Sequence, residues 1–103
     1  MWPFDKKPRR DHQALVIIDE AIDFVAERWI FFNRSVPVSH GSVLRERIAM
    51  FARSIEKSLH MRHPALAAAP DEVMLLIIAK GVEQSGAVSR GEIERSLGIL
   101  LPP

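Results

Sequence analysis

Residues 14–32 read Ala14-Leu15-Val16-Ile17-Ile18-Asp19-Glu20-Ala21-Ile22-Asp23-Phe24-Val25-Ala26-Glu27-Arg28-Trp29-Ile30-Phe31-Phe32. Apolar residues recur every three or four positions, the period of an α-helix. Leu15, Ile18, Ile22, Val25, Trp29 and Phe32 fall on one side of the helical wheel. Ile17, Ala21, Phe24 and Phe31 widen that side beyond half the circumference, and Asp19, Glu20, Asp23 and Glu27 fill the remainder. A surface helix ordinarily shows an apolar stripe of about 100° or somewhat more. Such width predicts either the central helix of the fold or a helix that also meets another chain. Asp19, Glu20, Asp23, Glu27 and Arg28 would each cost roughly 2.5–3.5 kcal/mol at a bilayer centre, so no membrane span is expected here.

Outward from this stretch, helix one is expected over about Asp11 to Asn33, with Asp11 as N-cap. Residues 1–10 read as an extended arm, because Pro3 and Pro8 oppose helix and restrict the residues before them. Trp2 and Phe4 are apolar anchors on that arm. After the loop around Pro37 and Gly41, helix two is expected from about Ser42 to Arg62. Leu44, Ile48, Phe51, Ala52, Ile55 and Leu59 form its narrow apolar seam, and His63-Pro64 ends it.

Pro70 followed by Asp71-Glu72 opens helix three, since acidic groups favour the positive end of the helix dipole. The apolar run Val73–Ala79 would suit a buried strand by itself, but the start signal and the continuation to Gln84 predict a buried helix. Ser85-Gly86 closes it. Ser89 and Glu92 have capping-box spacing, Val88 and Ile93 the positions of a hydrophobic staple, and Gly98 those of a left-handed C-terminal stop. Ile99, Leu100 and Leu101 follow as apolar anchors.

The expectation is therefore an all-α chain. It is a compact four-helix bundle-like domain over residues 11–103, with three long helices, one short C-terminal helix and the N-terminal arm of residues 1–10. A length of 103 residues fits one domain with a core of its own. Fourteen basic and thirteen acidic residues leave a net charge of +1, which gives no global pull towards nucleic acid or anionic lipid. No cysteine is present, so disulfides, thiolate nucleophiles and cysteine-ligated zinc are excluded. Lys6, Lys7, Arg9 and Arg10 lead into polar residues rather than an apolar run, so a secretory signal is not expected and a cytoplasmic location is.

Four patterns offer chemistry. Glu56, His60 and His63 share one face of helix two and hold zinc-ligand types, but lack the two-histidine spacing of helical metalloprotease sites. The acidic row Asp19, Glu20, Asp23 and Glu27 could meet cations, including Arg45, Arg47, Arg53 and Arg62 of helix two. Gly81–Glu92 matches three positions of a calcium-binding EF-hand loop but lacks its first carboxylate. Helix three, a turn, and Ser89–Leu97 ending in Leu97-Gly98-Ile99 resemble the opening helices of helix-turn-helix domains, where a further helix enters the major groove. Leu100-Leu101-Pro102-Pro103 leaves that helix no room in this sequence.

No glycine-rich phosphate loop or nucleophile elbow occurs, so no enzyme and no cofactor is expected. The expected function is a non-enzymatic protein–protein interaction or regulatory module, with self-pairing as a homodimer through Phe24, Trp29, Phe31 and Phe32 as its simplest form. The alternatives are a nucleic-acid-associated regulator using Lys6, Lys7, Arg9, Arg10 and the Arg-rich helix two, and a small metal-dependent enzyme centred on Glu56, His60 and His63.

Overall fold

The apolar run Val73–Ala79 lies in a helix, not a strand, in the computed structural model. That structure describes the backbone of residues 8–36 and 43–103, and the side chains of 15–36 and 43–103. Four α-helices follow in order: α1 Pro8–Ser35, α2 Leu44–Arg62, α3 Asp71–Gln84 and α4 Arg90–Leu97. A 3₁₀ turn, Pro64–Ala68, joins α2 to α3, and the described residues contain no strand. The all-α, bundle-like architecture is as the periodicity predicts.

The start of α1 corrects the expected boundary. The helix begins at Pro8, so Asp11 lies within it rather than capping it, and residues 8–10 are helical rather than extended. Proline is tolerated at a first helical position because its missing N–H has no partner there and its φ is already helical. Residues 1–7, with Trp2, Phe4, Lys6 and Lys7, lie outside the described residues.

α1 is the axis of the fold. Ile18, Ala21, Ile22, Val25, Trp29 and Phe32 are buried in one continuous core with residues of every other helix. α3 packs along it most extensively. Gly81 makes that approach possible: a Cβ there would press into the Val25 side chain and lie 3.1 Å from the Ala26 backbone nitrogen. α3 is less enclosed than its composition suggests, because Leu75 is exposed while Met74 and Leu76 are half-buried.

α2 returns antiparallel to α1. Its first turns meet the end of α1, and its last residue, Arg62, lies over Phe24. Trp29, Phe32 and Phe51 form an aromatic cluster with ring centroids 5.0–5.8 Å apart, within the range where aromatic pairs attract. Trp29 is 1% exposed, and its Nε1 is the buried side-chain polar atom without a hydrogen-bond partner among the described residues. Ile48, Phe51, Ile55 and Leu59 bury the predicted seam of α2, with Leu44 and Ala52 at its edges. Arg47 is also buried, which the seam does not predict. Its guanidinium donates to Asn33 Oδ1 at 2.6 Å and to the Val36 carbonyl at 2.8 Å, and lies over Phe32.

The caps of the C-terminal helix form at the expected residues, with one of the two capping-box hydrogen bonds made. Ser89 Oγ accepts from the Glu92 N–H at 3.3 Å, and Ile93 is fully buried. Gly98 takes the left-handed conformation, φ 67°, and donates its N–H to the Glu94 carbonyl. Beyond it the chain has no regular secondary structure. Leu101 is buried and Ile99 half-buried, but Leu100 is 85% exposed and does not anchor the tail.

Gly81→Ala should lower stability by about 1–3 kcal/mol through overpacking, despite alanine's better helix propensity. An unchanged or raised urea midpoint would show that α1 and α3 can separate without penalty. Ser89→Ala should cost about 0.5–2 kcal/mol. A midpoint identical to wild type would mean that α4 lies outside the cooperative unit.

Candidate interaction surface

The four aromatic residues expected to face a partner do not share one environment. Phe24, Trp29 and Phe32 are buried against this chain's own residues, whereas Phe31 is 62% exposed. The correction has a simple cause. The apolar face of α1 is broad because it serves both α2 and α3, and its outer edge projects beyond them; Leu15, Val16 and Ile30 of α1 are exposed as well. Trp29 and Phe32 are core residues, and Phe24 lies just beneath the surface. The guanidinium groups of Arg28 and Arg62 cover Phe24, at 5.2 and 5.0 Å from the ring centroid.

The outer edge is a row. Ile17, Phe24 and Phe31 are spaced seven residues apart, which returns to nearly the same side of a helix every two turns. Ile17 is half-buried and lines an apolar cleft of about 270 Å³, with Ile18, Leu66, Ala69, Pro70 and Val73. On α2, Met50 belongs to the same outer side. Phe32 and Phe51 meet across the antiparallel pair at 5.4 Å between centroids. One residue earlier on each helix is a turn of about 100°, which brings Phe31 and Met50 to the same side of the pair. Val43 immediately precedes α2, and Met61 lies on the same flank of the helix as Met50; all three are exposed.

The acidic row of α1 borders this surface. Asp19, Glu20, Asp23 and Glu27 are exposed. Asp23 Oδ1 accepts from Gln84 Nε2 at 2.6 Å. The ion pairs among the described residues do not join this row to α2; they lie where α3 meets α4. Of the α2 arginines, Arg47 bonds at the end of α1 and Arg62 lies on Phe24, while Arg45 and Arg53 are exposed.

The other patterns do not assemble into sites. Glu56 and His60 line a cleft of about 310 Å³ opposite Asp71, but His63 sits apart, closing α2 with its N–H on the Leu59 carbonyl. No group of three or more metal-ligand residues comes together among the described residues. The segment that matches three positions of a calcium-binding loop begins inside α3, where Gly81 is buried against α1. Arg9 and Arg10 belong to the first turn of α1, and Lys6 and Lys7 lie outside the described residues. No described helix is long and apolar enough to cross a membrane.

A polar network that the sequence reading missed closes the far end. Arg90 donates to Glu83 Oε2 at 3.1 Å and to the carbonyls of Leu101 and Pro102, and it pairs with Glu94. Lys80 Nζ donates to Glu83 Oε1 at 3.0 Å and to the Pro102 carbonyl at 3.3 Å. The Leu101 N–H donates to Glu94 Oε2 at 2.8 Å. Only the spacings Lys80–Glu83 and Arg90–Glu94 could have signalled it. Burial pushes the Glu83 carboxyl up, but the hydrogen bonds and charges of Lys80 and Arg90 outweigh burial and hold it below the ordinary glutamate value.

No family model matches this chain, and neither a curated protein nor a solved structure does.

Because folding lowers the Glu83 pKa, its stabilisation is complete above the unfolded-state value and fades as pH falls through the folded-state value. The stability gap between wild type and Glu83→Gln should therefore be constant near neutrality and shrink in acid. Urea midpoints measured across that range would test it. A gap that persists undiminished at the acid end would show that charge on Glu83 is not what holds the network.

Proposed function

We propose that the protein acts in the cytoplasm as a non-enzymatic interaction module whose docking face is the outer edge of α1. The observation that carries this reading is the exposure of Phe31, 62%, in register with Phe24 and the Ile17 cleft. A single exposed leucine or valine on a monomer needs no explanation. Phe31 differs because it ends an ordered row, with exposed Met50 on the neighbouring helix and exposed Val43 just before that helix. Aromatic residues and methionine are enriched at protein interfaces, and methionine adapts to varied partner shapes. Arg28, Arg62, Glu20 and Glu27 supply a polar margin of both signs, as a selective interface requires.

The opposite assignment, a core role for Phe31, makes a different prediction about one substitution. Phe31→Glu should remain folded, with stability within about 0.5 kcal/mol of wild type, because the side chain already meets solvent. A photoreactive phenylalanine analogue at position 31 should form protein adducts in cells, whereas the same analogue at the exposed Leu100 should not. Unfolding of Phe31→Glu, or equal labelling at both positions, would remove the docking face.

A further inference from the structure

We infer that residues 99–102 are a releasable strap, and that the place they occupy on α3 and α4 is a site for a non-helical, leucine-bearing segment of a partner protein. The site uses none of the residues of the α1 row, so it stands or falls independently of the docking face there. Its present occupant shows what it takes. Arg90 donates to the carbonyls of Leu101 and Pro102, and Lys80 donates to the Pro102 carbonyl at 3.3 Å. Glu94 Oε2 accepts the Leu101 N–H at 2.8 Å. All of these contacts are made to backbone atoms, which every peptide carries. One strap side chain, Leu101, joins the core at 5% exposure, while Leu100 is exposed and Ile99 half-buried. Charged groups therefore hold a backbone, and apolar ones select a leucine. Peptide recognition commonly divides in this way, with main-chain hydrogen bonds for affinity and a pocket for specificity.

The domain is built so that the strap can lift. α4 is closed before the strap makes its contacts, because the N–H groups of Gly98 and Ile99 both donate to the Glu94 carbonyl. The charged groups also hold one another. Glu83 pairs with Lys80 at 3.0 Å and with Arg90 at 3.1 Å, and Arg90 pairs with Glu94 at 3.7 Å. Release of the strap therefore strands no lone charge, and the ion pairs keep the site in shape for a second occupant. Such preorganisation lowers the cost of binding. These four side chains are 23–37% exposed, so water can replace the strap's backbone groups. While closed, the tethered strap competes at an effective concentration of the order of mM, which a partner segment must overcome.

Amide exchange and a peptide titration, both followed by NMR on the full chain, test the two halves. The Leu101 N–H should be at least about a hundredfold less protected than the slowest amides of α1, and its exchange should respond little to low urea, as a local opening does. Equal protection and an equal urea response would place the strap in the cooperative core and overturn the inference. Leu101→Asp should lift the strap and leave a helical, cooperatively melting domain; an unfolded variant overturns the inference as well. A peptide copying residues 98–103 should then bind the Leu101→Asp chain and shift the amides of Arg90 and Glu94. Wild type should bind it at least about tenfold more weakly, because its own strap competes. The same peptide with aspartate in place of the leucine equivalent to Leu101 should not bind. No binding to the folded Leu101→Asp chain, or equal binding of both peptides, overturns the site.

Discussion

The approach of α3 to α1 at Gly81 is the constraint on which the remaining packing depends. Without a side chain at that position, α3 can lie against Val25 and Ala26. This sets the depth at which Ile77, Ile78 and Val82 meet the core, and all three are buried. α1 then has one flank committed to α3 and an adjacent one to α2. The aromatic cluster of Trp29, Phe32 and Phe51 fills the second. What remains of the apolar face of α1 includes the row from Ile17 to Phe31 at its outer edge, with Leu15, Val16 and Ile30 also exposed. A bulkier residue at position 81 would move α3 outward and blur the boundary between core and edge.

Polar groups are distributed unevenly around this core. Near the loop between α1 and α2, Arg47 ties the end of one helix to the start of the next through Asn33 and the Val36 carbonyl. At the other extreme, Arg90, Lys80, Glu83 and Glu94 bind the C-terminal segment to α3 and α4. Leu101 is held on both counts, its side chain in the core and its N–H and carbonyl on charged groups. The middle of the molecule, by contrast, is stabilised almost wholly by apolar contact. Such a division leaves the long exposed flank of α1 without intramolecular ion pairs among the described residues. Its acidic row and Arg28 remain at the surface.

Local chemistry made much of the fold legible. Ser89 and Gly98 set the ends of α4 because each acts on backbone groups within a turn, and the α2 seam was legible because its period is strict. Pro8 misled because a proline can equally break a helix or begin one, and nothing in the neighbouring residues decides. The wheel for α1 gave the width of its apolar face but not which part a neighbour covers. Trp29 and Phe31 look equivalent in sequence and have opposite environments in space. The division depends on where α2 and α3 sit, which periodicity along one helix does not encode. The Arg90 network joins residues from α3, α4 and the terminal segment, so its geometry was also hidden. Of the expected interface, only Phe31 was placed on the surface by the structure.

Trp29 gives the core an optical signature. The chain has two tryptophans and no tyrosine, so its intrinsic emission arises almost entirely from Trp2 and Trp29. Trp29 lies among phenylalanine rings, with its indole N–H lacking an acceptor among the described residues. An indole removed from water and from hydrogen bonding emits at shorter wavelength than a hydrated one. Removing Trp2 would leave a single chromophore at the junction of α1 and α2. Its colour would then follow the integrity of that junction alone.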